Sequence, residues 1–455
     1  MISLYEVIDR VMTGRYCSES EFDMEILVPR IRELVSKYKI KYDPDNPIPS
    51  DDGLADRVFQ AGFELFRDVG VYCPDTERIL RFSEEELCEA LAQAPSAPVF
   101  GEGKDAKALV ARKPESTARP WCFIGAGGAA VSNEELFASI VEAYAGFMPL
   151  ADSITAPSIV SINGRTVRTG SPLEVLASIR AVVLGREALR RGGRPGLPIM
   201  NSIANAGTDT AKIAGTQFGL RPSDGWPVGH TAELKLEYQR FNEIAFLTTF
   251  GGHICAETAP ILGGYCGGPE GTAVTNVAYH LSGIITMRAS LHLTFPTHFN
   301  YGCTTTRDVT WAVSVSNQAI SRNSHFPLLV ISYAAAGPMT EMVYYEIASA
   351  ITTTVVSGGS IEFGGVAKAT HVDHFTPMEP RLASEVAHRV VGMTRKEANG
   401  IVKKLLERYE GNLASPPLGK KYAECWDVAR RVPGKEYVDF DRKMRKELSN
   451  LGIPL

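Results

Sequence analysis

Residues 251–271 read GGHICAETAPILGGYCGGPEG, and TAVTNVAYHLSGIITMR follows at 272–288. The apolar run His253–Leu262 is bounded by paired glycines. The segment after it, Thr272–Arg288, carries apolar residues at helical spacing. Together they make one strand–turn–helix unit. A single carboxylate, Glu257, stands inside the apolar run. A buried acid needs a core cation or backbone N–H groups to satisfy it, or else it belongs to a site. The residues alone leave both readings open.

The same unit recurs on either side. Strands are expected at Trp121–Gly125, Ile154–Val160, Leu197–Ile203, Trp226–Gly229, His253–Leu262, His292–Phe299, Pro327–Tyr333 and Ser360–Phe363. Helices are expected at Glu134–Gly146, Pro172–Arg191, Asp209–Phe218, Ala232–Thr249, Thr272–Arg288, Asp308–Arg322, Thr340–Ser357 and Arg381–Val391. Strands alternating with helices predict a parallel sheet, and eight such units predict an α/β fold closed as a (β/α)8 TIM barrel. An open doubly wound sheet is the alternative. Its dinucleotide fingerprint is missing, because Gly125-Ala-Gly-Gly does not complete GxGxxG, and there is no Walker A motif.

Before the barrel, residues 1–112 read as an N-terminal helical layer, a lid or oligomerisation surface. Helices are expected at Glu21–Tyr38 and Leu54–Val69, and Ser83 with Glu86 forms a capping box for a third. Residues 113–394 form the barrel, and 395–455 a charged amphipathic tail.

The 455 residues carry a net charge of −5, which gives no electrostatic reason to expect nucleic acid or an anionic membrane as partner. No apolar run is long enough to span a bilayer, and MISLYEVIDR lacks the apolar core of a secretory signal. The eight cysteines show no CxxC, as expected of reduced thiols in a cytoplasmic protein.

In a barrel of this kind, chemistry sits at the C-terminal ends of the strands. Those ends hold Met200, His230, Thr231, Glu257, His298, Phe299, Tyr301, Ile331 and Tyr333, with Tyr265 on a following loop. The mouth is thus rich in aromatics and poor in bases. Phe299, Tyr301, Trp311 and Tyr333 suit either core packing or a cage for a cation. His371-Val-Asp-His374 and the cysteines 255, 266 and 303 are the candidate zinc ligands. A Pro-flanked loop and small buried thiols are the better account of them, and no resident metal is expected.

Gly193-Arg-Pro-Gly196, Pro260-Ile-Leu-Gly-Gly-Tyr265, Thr304-Thr-Thr-Arg307 and Ala336-Gly-Pro-Met-Thr-Glu-Met342 resemble the corrinoid-dependent monomethylamine methyltransferases of methanogens. Ala61-Gly-Phe-Glu, Ser171-Pro-Leu-Glu-Val175 and the tail from Tyr422 to Val428 extend the likeness nearly end to end. The resemblance implies a (β/α)8 barrel and a homo-oligomer, hexameric in the family. It also implies methyl transfer to the Co(I) corrinoid (a cobalamin-type cofactor) of a separate, cognate corrinoid protein. No cofactor is expected to stay bound to this chain, which lacks the DxHxxG pattern of corrinoid-binding domains.

The departures matter as much. The family carries pyrrolysine on the strand after the GRPG turn, where this chain has Met200. A family carboxylate aligns with Thr231 and a family glutamine with Ile331, while the glutamate survives as Glu257. Methionine has no electrophilic carbon to take up an amine. The rebuilt pocket therefore points to a quaternary amine, whose neutral leaving group needs no such help. Glu257 is the expected catalytic residue, stabilising the cation. The expected substrate-binding residues are Met200, Thr231, Tyr265, His298, Tyr301, Ile331 and Tyr333. Gly264 and Gly267 form the expected rim facing the corrinoid. The alternatives are a true monomethylamine enzyme with Met200 in place of pyrrolysine, a zinc-dependent barrel, and a non-catalytic cation binder.

Overall fold

The computed structural model describes residues 2–125, 129–200 and 207–455. Seven parallel strands form the central sheet: β1 Cys122–Gly125, β2 Ser153–Thr155, β3 Gly225–Gly229, β4 His253–Thr258, β5 Leu291–Thr294, β6 Leu328–Tyr333 and β7 Ser360–Gly365. Their order runs β3-β4-β5-β6-β7-β1-β2, so β2 and β3 are the open ends. Residues 199 and 200 fill the gap. Ile199 bridges in parallel to Ile154 of β2, and Met200 to Gly225 of β3. The Met200 N–H donates to the Ile154 carbonyl at 2.7 Å, and the Gly225 N–H to the Ile199 carbonyl at 3.2 Å. Of the predicted third strand, Ile199 and Met200 make these bridges, and 201–203 lie outside the described residues. The sheet closes as a (β/α)8 barrel.

Strand periodicity divides the side chains into two cores. Ile124, Val228, Ile254, Ala256, Val330, Ile361 and Phe363 face the surrounding helices. Phe123, Met200, Cys255, Leu291, Leu293, Leu329 and Ile331 fill the interior.

Two outer helices, Glu134–Gly146 and Pro172–Arg191, coincide with their expected bounds. The fourth helix departs most, beginning at Tyr238 rather than Ala232. The residues before it leave the helical path to join the N-terminal layer. Leu236 N–H donates to the Tyr72 carbonyl at 2.9 Å, and buried Lys235 reaches Glu19 and Asp23, each at 2.8 Å. Long expected strands also break. Ile154–Val160 becomes β2 plus the short strand Ser158–Ile159. His253–Leu262 and His292–Phe299 end early, and their tips, Ile261–Leu262 and Thr297–His298, pair separately.

The N-terminal layer is not wholly helical. It contains a small antiparallel sheet, Arg15–Tyr16, Val71–Cys73 and Arg78–Leu80. A second antiparallel pair, Val99–Phe100 with Lys107–Ala108, closes the bottom of the barrel. There the Phe100 ring lies 4.4 Å from the ring of His253 and 5.7 Å from that of Trp121. The tail supplies the helices Arg395–Tyr409 and Lys435–Leu451, which pack on the helix Glu341–Val356. No helix among the described residues is long and apolar enough to cross a membrane.

Candidate functional site

The barrel interior is a layered apolar plug that carries two acids. Glu257 is the inward residue of β4 after Cys255, and Leu293 is its register partner on β5. Glu362 lies on β7 between Ile361 and Phe363, both of which face outward, so its own side chain points in. Its register partners are Ile331 on β6 and Phe123 on β1, both members of the interior core. Tyr333 and Phe295 join them, with ring centroids 5.6 Å apart and nearly edge-on.

Met200 is fully buried. A Cβ placed on Gly225 would stand 2.8 Å from the Met200 Cγ and 3.1 Å from the Cys255 sulfur. Only a glycine on β3 lets that side chain lie flat against the wall. The chain around it is anchored from behind. The Asp224 carboxylate accepts the Ile199 N–H at 2.8 Å and the Arg221 N–H at 2.7 Å, and pairs with Arg186. The GRPG turn is held likewise, Arg194 reaching Asp105 at 2.9 Å and the Ala151 carbonyl at 2.9 Å.

Both inward carboxyls are pushed above the usual carboxylate range. Desolvation is the main cause at Glu257, partly offset by the charges of Lys212 and Arg240. Those two cations are themselves engaged by Glu243. Glu362 is raised further, by desolvation and then by the charge of Glu257. Its Oε2 is buried with no hydrogen-bond partner among the described residues. The Tyr333 hydroxyl and the Cys255 thiol are both pushed up by burial, then by Glu362 and Glu257. These four groups therefore share one electrostatic neighbourhood.

Glu257, Met200, Ile331 and Tyr333 thus come together, and the other expected residues do not join them. Thr231 is exposed at the rim, its hydroxyl donating to Glu237 at 2.9 Å. Tyr265 is 41% exposed, with the Lys235 ammonium 5.5 Å from its ring. It lines an outer groove of 520 Å³ together with Met24, Arg32, Gly264, Gly267 and Phe299. Tyr301 packs against the outer core, its ring 4.7 Å from that of His298. His298 in turn accepts the Asn300 N–H at 3.1 Å. Of the expected aromatic cage only Tyr333 faces inward, and Phe295 is its companion. His230 turns outward: Nε2 meets the Ser282 hydroxyl at 2.8 Å, and burial pulls its pKa down to about 3.

Two functional candidates escaped the sequence reading. The signal for Phe295 was its two-residue spacing from Leu291 and Leu293. The signal for Glu362 was the one that had singled out Glu257, an acid alone in an apolar strand.

The motifs around Thr304–Arg307 and Ala336 have structural roles. Buried Glu346 accepts the Thr305 hydroxyl at 2.6 Å and the Ala335 and Ala336 N–H groups at 2.7 and 2.9 Å. Arg307 makes a two-pronged pair with Glu410, both contacts 2.9 Å. The His371 and His374 rings lie 5.6 Å apart, and His374 Nδ1 donates to the Val372 carbonyl at 3.0 Å. Among the described residues no group of three or more His, Cys, Asp or Glu side chains could hold a metal ion.

A closed barrel with an acid-bearing apolar interior at its strand ends has the architecture of a (β/α)8 enzyme. Comparison with known proteins narrows the class to methyltransferases. The profile of the monomethylamine methyltransferase MtmB family matches residues 2–453, and the chain belongs to that family. It is 33% identical to the monomethylamine methyltransferases MtmB3 and MtmB1 of Methanosarcina barkeri, over 99% of this chain and 98% of each relative. The crystal structure of the M. barkeri monomethylamine methyltransferase superposes with a TM-score of 0.95 at 31% identity, covering 99% of this chain and 98% of that one. The crystal structure of the hydroxylamine MtmB complex matches equally well, with a TM-score of 0.95.

Proposed function

We propose that this methyltransferase takes its methyl group from a quaternary amine, in preference to monomethylamine, and delivers it to the Co(I) corrinoid of a partner corrinoid protein. The carrying observation is the interior wall itself. Met200 lies buried over Gly225 against Cys255 and offers no electrophile. The same barrel interior holds a part-exposed carboxylate, Glu257, and the inward aromatics Tyr333 and Phe295. Such a wall attracts a fixed positive charge through one acid and two ring faces, each ring contributing roughly 0.5–2 kcal/mol.

In the reaction the C–N bond breaks, its electron pair stays on nitrogen, and a neutral tertiary amine leaves. Glu257 binds the cation and orients its methyl group toward the strand ends. Tyr333 and Phe295 exclude water from it. On its carrier the corrinoid would supply the nucleophile that accepts the methyl group. The fit on this chain is at the surface. The Gly263–Gly267 turn borders the 520 Å³ groove where Phe299 is 68% exposed, and a Cβ at Gly267 would meet nothing within 4 Å. A bulky residue at Gly264 or Gly267 should slow transfer to the carrier and spare amine binding. Unchanged transfer would remove the rim assignment.

The test mixes this protein, reduced Co(I) corrinoid protein and a panel of methylated amines, and follows corrinoid methylation by its absorbance. Methylation from a quaternary amine and not from monomethylamine is expected. Strong turnover of monomethylamine, the substrate for which the relatives are named, would show that Met200 suffices and overturn the quaternary reading.

A further inference from the structure

Glu362 has no role in the reaction as described, yet it is the most conspicuous polar group inside the barrel. It is 3% exposed, its Oε2 meets no hydrogen-bond partner among the described residues, and its neighbours on the adjoining strands are Ile331 and Phe123. The titratable groups facing it are Glu257 and Cys255 from β4 and Tyr333 from β6. No Lys, Arg or His among the described residues bonds to it. Lys212 and Arg240 act on Glu257 from outside the wall and are already paired with Glu243. A buried carboxylate left without a donor is costly to keep. Glu362 and the part-exposed Glu257 bring like charge into one apolar interior, so both ionising at once is costly and a bound proton is favoured. A monocation between them removes that constraint.

We propose that Glu362 is the second carboxylate of an ammonium-binding pair with Glu257, which exchanges a proton for a monocationic amine inside the barrel. The pair makes charge, rather than the number of methyl groups, the first requirement for binding, and leaves discrimination among methylated ammonium ions to the Met200, Phe295 and Tyr333 surfaces. The inference deepens the reading given under Proposed function and rests on an amine cation being the ligand.

The experiment is calorimetric titration of the full chain with tetramethylammonium and, separately, with methylammonium, in two buffers of different ionisation enthalpy. Binding of either cation should release protons, and its affinity should rise with pH. In Glu362→Gln the proton release should vanish, and affinity at alkaline pH should fall roughly tenfold or more. Release observed with methylammonium alone would keep the carboxylate pair and remove the quaternary preference. Binding with no proton release in the native protein would overturn the pair whether or not the variant folds. So would unchanged release and affinity in a folded Glu362→Gln, or no binding of either cation.

Discussion

Ile331 is the register partner of Glu362 across β6 and β7, so an aliphatic side chain stands where the buried Glu362 Oε2 has no donor among the described residues. Ile331→Gln offers an amide N–H to that acid on the same face of the sheet. Satisfying a buried acceptor is worth about 1–3 kcal/mol. The variant should melt higher than the native protein at alkaline pH, where Glu362 ionises. At acidic pH, where the acid is protonated, the gain should shrink. Ile331→Leu, which brings no donor, should show no such pH-dependent gain in the same thermal melts.

Asp224 ties three parts of the chain to the barrel gap: Ile199 N–H, Arg221 N–H and the Arg186 guanidinium. Asp224→Ala would leave Arg186, only 17% exposed, without its carboxylate. Breaking a buried pair on one side costs about 3–5 kcal/mol. Denaturant unfolding should show a loss of that order. Amine affinity should fall as well, since the strand bearing Met200 loses its backing.

Glu379 lies beneath the tail, accepting the Thr376 N–H at 2.9 Å and the Thr376 hydroxyl at 2.8 Å, and bonded to Tyr437. Burial pushes its pKa from the ordinary 4.5 up to about 7 despite those bonds. The folded protein therefore holds a proton that the unfolded chain gives up between those values. Stability from this group is present below pH 4.5 and is lost as pH rises toward 7. The loss amounts to about 3 kcal/mol at 1.36 kcal/mol per pKa unit. Glu379→Gln should flatten that part of the stability–pH curve, measured by denaturant unfolding at several pH values.

Gly364 gives Tyr333 its position. A Cβ there would stand 2.6 Å from the Ile331 Cγ2 and 2.9 Å from the Tyr333 Cζ. Gly364→Ala should destabilise by about 1–3 kcal/mol through overpacking. It should also weaken amine binding, because the Tyr333 ring must move. Retention of native affinity in calorimetry would remove Tyr333 from the cation site.

The alternation of elements was legible in the sequence because it rests on local physics. Side-chain periods of two and 3.6, glycine-bounded strands and side-chain caps need only near neighbours. The capping box at Ser83 and Glu86 forms with both of its bonds, and the helices Glu134–Gly146 and Pro172–Arg191 keep their expected limits. Glu257 was visible for the same reason, as an acid in an apolar strand. Other features are set by contacts between distant segments. The start of the fourth outer helix shifted because residues 234–236 pair with Tyr72 and Lys235 is held by Glu19 and Asp23. Strand-end position alone could not place Tyr265 and Tyr301 outside the barrel or Phe295 within it, since where a strand breaks decides which face the next side chain takes. The sequence by itself determined the barrel and one acid within it. Only closure of the sheet decided that a second acid, Glu362, comes from β7 into the electrostatic reach of Glu257 on β4, because that meeting depends on strand register around the whole ring.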